Sequence, residues 1–334
     1  MIRRRLICAA ALLAAVLVLA IEVQAAPPIV WQRYSGNPVL GPGAPGSWDS
    51  YNVVMGSVQR VGGTYHLWYY GSANNFNFQI GHATSADGIA WIRDATNPVV
   101  TAGPPGSWEE RAASGPEVVY EDGLFKMWYS GLDNSATPGS IGYATSPDGS
   151  AWTKYAGNPV VTKGPSAWDS QNIVNGAVLH DSSGYRLWYS GSGDGLTYRS
   201  GLAFSQDGIT WTKHSAGPVM DVGPAAWDSF RVHPSTILSS ELGLVMFYIG
   251  SDGGTQRVGV ALSTDGVVWT KYGGNPTLDV GMPGAWDSAS LSRVDVELVG
   301  RQLWLWYSGN AAGADWQIGL ATLRPGAAKA LMRP

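Results

Sequence analysis

Apolar and polar positions along this chain follow one pattern, written five times. In its third copy an apolar run over 174–179 precedes the polar turn Asp181-Ser-Ser-Gly184. Apolar and aromatic residues return over 185–189 and again over 200–204. Gln206-Asp207-Gly208 then turns the chain into a last run over 210–214. Short runs rich in β-formers, bounded by Gly, Asp and Ser clusters, predict four strands joined by tight turns. Four such strands make one propeller blade.

The copies align without gaps. They begin at Trp48-Asp-Ser50, Trp108-Glu-Glu110, Trp168-Asp-Ser170, Trp227-Asp-Ser229 and Trp286-Asp-Ser288. In each, a glycine follows its Trp by 23 residues and ends an aromatic strand, as in His66-Leu-Trp-Tyr-Tyr-Gly71 and Arg186-Leu-Trp-Tyr-Ser-Gly191. The turn Ser-x-Asp-Gly-x-x-Trp recurs at 85–91, 146–152, 205–211 and 263–269. A short Asp there can bond its own turn backbone while the Trp packs between blades. The fifth copy stops at Ile318–Leu323, without a fourth strand. Trp31-Gln-Arg-Tyr34 with Gly36-Asn-Pro-Val39 supplies the missing string, matching Trp152-Thr-Lys-Tyr155 with Gly157-Asn-Pro-Val160. The expected fold is all-β: a five-bladed β-propeller with four-stranded blades, its ring closed by the N-terminal strand. Residues 27–334 form this one domain, ending in a short tail.

Composition narrows the function classes. Residues 1–26 read as a signal peptide: the basic Arg3-Arg4-Arg5, an apolar run to Ile21, then a small-residue cleavage site at Ala25 or Ala26. The mature chain is therefore expected to be secreted, with no membrane contact after cleavage. The single cysteine, Cys8, lies in that leader, so no disulfide, thiol nucleophile or cysteine metal site is expected. Net charge is −4 and the mature chain has no basic cluster, which argues against nucleic acid as a partner. Five histidines without ligand spacing predict no metal centre, and no phosphate loop or nucleophile elbow predicts a cofactor or a serine hydrolase.

Ile141-Gly-Tyr-Ala-Thr-Ser-Pro-Asp-Gly149, Trp152-Thr-Lys-Tyr155, Asn158-Pro-Val160 and the repeated Trp-Asp-Ser resemble the five-bladed propeller superfamily that includes glycoside hydrolase families 32, 43 and 130. The resemblance covers the whole mature chain. It implies an axial funnel that binds sugar, with catalytic carboxylates near the starts of the innermost strands. The chain departs from the family 43 pattern at each implied acid: the matching strings are Met55-Gly-Ser-Val58, Ser114-Gly-Pro116 and Asn175-Gly-Ala-Val178.

Candidate site residues come from where the repeat breaks. Asp49, Asp169, Asp228 and Asp287 recur and are assigned to the fold. Counted from each Trp, the fourth position holds Asn52, Asn172 and Arg231, the sixth His233, the seventh Asn175 and Arg293, and the ninth Glu117 and Asp295. The tenth is Val or Ile in every copy. Glu117 and Asp295 are each the only acid of their copy at that level, on blades not adjacent in a ring of five. They are the candidate acid and base of a glycosidase. Asn52, Asn172, Asn175, Arg231, His233 and Arg293 are the candidate substrate-binding groups, all expected at one funnel mouth. A monomeric glycoside hydrolase-like protein acting on an oligo- or polysaccharide is the first expectation. A non-catalytic carbohydrate-binding propeller and a structural or protein-binding propeller are the alternatives.

Overall fold

The computed structural model describes residues 28–332, except 75, 136–138, 225 and 242; the leader lies outside the described residues. Five four-stranded antiparallel sheets are present. The first blade runs Asn52–Val61, Thr64–Ser72, Gln79–Ser85 and Ile92–Arg93, and the next three repeat it. The fifth consists of Ser290–Val299, Gln302–Asn310 and Gln317–Leu323, completed by Gln32–Arg33 from the start of the chain. Gln32 pairs with Thr322 and Arg33 with Ala321, and the Val39 amide reaches the Ile318 carbonyl at 2.8 Å. The ring is closed as the displaced string predicts.

The aromatic strand holds neighbouring blades together. Trp68, Trp128, Trp188 and Trp306 are fully buried in the second strand of their blades. Each indole donates to the glycine of the next blade's Ser-x-Asp-Gly turn: Trp68 to Gly149, Trp128 to Gly208 and Trp188 to Gly266, each at 2.8 Å, and Trp306 to Gly88 at 2.9 Å. The turn Asp does what a short acid can do there; Asp87 accepts from the Ile89 and Ala90 amides at 2.9 Å. The turn's own Trp packs edge-on against the buried one, as Trp152 does on Trp68. Blade four carries Phe247 in place of Trp, and the blade after it has no such turn to receive an indole N–H. Trp31 meets Phe247 edge-on at 6.0 Å instead. Pro325–Met332, expected as a tail, is a helix that sets Ala328 and Leu331 into that same cluster.

The recurrent acids hold their blades from inside. Asp169 accepts from the Tyr189 hydroxyl at 3.0 Å and pairs with Lys213 at 2.7 Å. Asp49 does the same with Tyr69 and Arg93, and Asp228 with Tyr248 and Lys271. Glu109 pairs with Lys154 in blade two. These acids bind a tyrosine and a cation of their own blade, as well as turn groups.

The innermost strands, Asn52–Val61, Ala112–Glu121, Asn172–Asp181, Arg231–Ser240 and Ser290–Val299, carry the candidate site. Each contains a β-bulge between the sixth or seventh and the eighth or ninth residue after its Trp, for example between Ser114 and Glu117 and between Ser292 and Val294. A bulge kinks the strand and re-aims the side chains on either side of it.

Candidate functional site

The bulges divide the axis into two levels. Residues four to seven places after the Trp of the second to fifth copies border a mouth of about 150 Å³, with Tyr70 near the end of the first blade's second strand and Tyr198 just before the third blade's third strand. Residues nine to thirteen places on border a separate cavity of about 480 Å³ at the other end of the same strands.

Arg231, His233 and Arg293 line the mouth. Tyr198 bridges to Arg231 in parallel, and its ring lies 4.7 Å from the guanidinium carbon. Asn172 donates to the Tyr198 hydroxyl at 3.0 Å, so it acts on the mouth through that ring. Burial lowers the proton affinity of Arg231. Arg293 is only 3% exposed, with φ of +23°, a backbone conformation that a side-chain-bearing residue adopts at a cost. Its guanidinium spans the axis, donating to the Asn175 carbonyl at 2.9 Å and to Nε2 of His233 at 3.3 Å. Nδ1 of His233 meets the Ser190 hydroxyl at 2.6 Å. With Nε2 accepting from Arg293, His233 is the neutral Nδ1–H tautomer. Burial, then the charges of Arg293 and Arg231, hold its imidazole well below the usual histidine range, in agreement with that assignment.

Among the described residues neither Arg231 nor Arg293 has a carboxylate within ion-pair distance. The Nε of each is buried without a hydrogen-bond partner. Buried donors of this kind are costly to leave unmet. Among the described residues no Asp or Glu lines the mouth. Ser114, where the family resemblance implies an acid, is on its wall.

Glu117 and Asp295 line the second cavity, and the charge of Arg293 acts on both. Asp295 accepts from the Val58 amide at 2.6 Å, across the seam between the last and first blades, and from Val296 at 2.8 Å. Glu117 accepts from the Val178 amide of the next blade at 3.3 Å. Burial raises Asp295 to about 6. Burial, then the charge of Asp295, raises Glu117 well above the usual carboxylate range. Glu297, two residues beyond Asp295, is pushed up to about 8 by burial and then by Asp295.

The eight candidates therefore do not share one mouth. Arg231, His233 and Arg293 come together there; Glu117 and Asp295 come together behind it. Asn175 is fully buried and spends its amide on the Gly115 and Trp128 carbonyls. Asn52 is buried, with its side-chain Oδ1 accepting from the Trp316 backbone amide at 3.2 Å. Sequence reasoning missed Glu297, Tyr198 and Tyr70. Glu297 is the lone acid of its level, the eleventh, and the rule that selected Asp295 selects it too when carried two positions further. Tyr70 stands where three other copies have Ser, a break in the aromatic strand that a count confined to the inner strand passes over; Tyr198, just before a third strand, carries no such signal. No cluster of His, Cys, Asp and Glu suited to a metal ion occurs among the described residues.

No family model matches the chain. Two uncharacterized proteins of Mycobacterium tuberculosis, MT1551 and Rv1502, are each 31% identical over 237 residues, covering 67% of this chain and 76% of theirs. A 1,2-beta-oligomannan phosphorylase of Thermoanaerobacter sp. is 25% identical over 244 residues, covering 69% of this chain and 75% of its own. Among solved structures, a glycoside hydrolase superposes with a TM-score of 0.73 at 18% identity, over 88% of this chain and 92% of that one. A beta-1,2-mannobiose phosphorylase from Listeria innocua, in complex with beta-1,2-mannobiose, gives 0.71 at 14% identity, over 90% and 99%. The fold is that of the five-bladed glycoside hydrolases and phosphorylases.

Proposed function

The chain belongs to the family of the two mycobacterial proteins, and from its fold and its axial mouth we propose that it is an exported glycan-active propeller that seats a glycoside and an anion together at Arg231 and Arg293. The leader, residues 1–26, carries it out of the cytoplasm. One observation carries the reading: two guanidinium groups with buried, unpartnered Nε donors border a cavity that no carboxylate of the described residues lines. Guanidinium forks suit phosphate or carboxylate oxygens.

The anion that fits a carboxylate-free site is inorganic phosphate. Water needs a base to become a nucleophile, whereas a phosphate oxygen is one already. In phosphorolysis the phosphate oxygen bonds to the anomeric carbon, the glycosidic C–O bond breaks, and one of the two protons of the phosphate monoanion passes to the departing oxygen. The products are a sugar phosphate and a shortened glycan. Arg231 and Arg293 hold the phosphate; His233, neutral, aims Arg293 through its Nε2 lone pair. The phosphorylase names among the similar proteins support the same substrate class, a β-1,2-mannoside.

A second reading rests on a different observation. Glu117 and Asp295 border one cavity, and burial raises the proton affinity of both. Glu117 as acid and Asp295 as base would make that cavity a hydrolytic site.

Incubating residues 27–334 with a panel of mannosides, with and without inorganic phosphate, decides between them. Sugar phosphate formed only with phosphate supports the first reading. Reducing sugar released without it supports the second. Binding with no product makes the protein a carbohydrate-binding propeller, and neither binding nor product overturns both readings.

A further inference from the structure

Resting on the mouth as the sugar seat, we infer that Arg293 is the floor of that seat and partitions the axis, so that the protein takes one terminal residue of a glycan and cannot thread a chain. Several observations converge on this one side chain. It starts in blade five and donates to the carbonyls of Asn175 at 2.9 Å and Gly176 at 3.4 Å in blade three. It donates to His233 of blade four at 3.3 Å. It lies against blade two at Gly115, where an added Cβ would come within 2.9 Å of Nη1. A single guanidinium thus touches three blades besides its own at the level of the bulges.

The consequence is visible in the two cavities. Arg293 borders the mouth, and neither Glu117 nor Asp295 does. Glu117 and Asp295 border the cavity behind, and Arg293 does not. The mouth encloses about 150 Å³. That is well below the roughly 300–1,000 Å³ of pockets that enclose a drug-sized ligand, so the mouth admits one terminal ring beside the anion and not a run of rings. The strained backbone at Arg293 and the glycine opposite it are the local features that let the side chain lie across the axis.

The test uses residues 27–334, β-1,2-mannotetraose and inorganic phosphate, read by saturation-transfer NMR and calorimetry. In the wild type, saturation falls on one terminal residue several-fold more than on the inner ones. Arg293→Met keeps a long side chain across the axis but removes its charge. The terminal pattern persists, and phosphate affinity drops about tenfold or more. Arg293→Ala joins the two cavities, and saturation spreads to inner residues. Even saturation along the tetraose in the wild type overturns the inference, as does an Arg293→Ala pattern identical to the wild type's. Should Arg293→Ala fail to fold, the wild-type and Arg293→Met patterns decide alone. A wild type that binds neither tetraose nor phosphate overturns the sugar-seat reading itself, and the inference with it.

Discussion

Nε of Arg33 donates to Oδ2 of Asp287 over 2.7 Å, joining residues 254 positions apart in the chain. Every blade has this pairing of an acid with a cation from its outermost strand, and in the fifth the cation comes from the N-terminus. Asp287 is fully buried and also accepts from the Tyr307 hydroxyl at 2.8 Å. Ring closure is therefore electrostatic as well as hydrogen-bonded.

Arg33→Ala leaves the Asp287 carboxylate buried without its cation. Arg33 is a third exposed, so the full cost of breaking a buried pair is reduced by solvent, and about 1–3 kcal/mol is expected. Deleting residues 27–40 removes the strand and Trp31 as well and is expected to cost several kcal/mol or to prevent folding. Thermal melts of both variants check this; an unchanged melting temperature for the deletion would mean the ring does not depend on its N-terminal strand.

Trp128→Ala removes a fully buried ring and its hydrogen bond to Gly208, and roughly 3–5 kcal/mol of destabilisation is expected. Urea titration measures it. Loss of sugar binding at unchanged stability would contradict the inter-blade role.

Much of this architecture was legible in residues. Trp31–Val39 could be placed in the ring because it repeats a string found elsewhere in the chain. The Trp of the aromatic strand was legible as core, and its replacement by Phe247 was visible, though its reason appears only in space: the next blade lacks the turn that would accept an indole N–H. Helix Pro325–Met332 was missed because a short run of Ala, Lys, Leu and Met declares itself only when Trp31 offers a surface to cover. The candidate site was half legible. Counting along each strand found Arg231, His233, Arg293, Glu117 and Asp295, but a count does not say which side of a bulge a residue falls on. That bulge separates the cations from the acids.

Stability should fall as pH rises from about 4 to 8. Asp295 and Glu297 have folded-state values raised to about 6 and about 8 by burial. Between their ordinary values and these, the native state binds more protons than the unfolded one, so stability present at low pH is lost as pH rises through the folded values. The turn acids work oppositely: Asp87, Asp148 and Asp207 are lowered chiefly by backbone amides, and their contribution is lost only below the ordinary carboxylate range. A stability maximum in mildly acidic solution follows. Glu297→Gln should raise the melting temperature at pH 8 more than at pH 5. Equal gains at both would show that Glu297 is not the group responsible.

The two levels of the axis can be separated by paired substitutions. Arg231→Met removes one of the two mouth guanidiniums while keeping much of the side-chain volume over Tyr198. Glu117→Gln removes a carboxylate from the cavity behind it at nearly constant shape. With phosphorolysis at the mouth, Arg231→Met should raise the KM for phosphate about tenfold or more, because a charge-assisted contact to the anion is lost. Glu117→Gln should then leave phosphorolysis within a few-fold of wild type, since Glu117 does not line the mouth. With hydrolysis behind Arg293, the pattern reverses. Glu117→Gln should lower kcat about a hundredfold or more, as expected when a general acid is removed, and Arg231→Met should change it little. Circular dichroism and melting curves establish that each variant is folded before its kinetics are compared. Product analysis with and without phosphate then assigns the turnover to one end of the ring. If both substitutions abolish the same reaction equally in folded protein, the two cavities act as one site and Arg293 does not separate them.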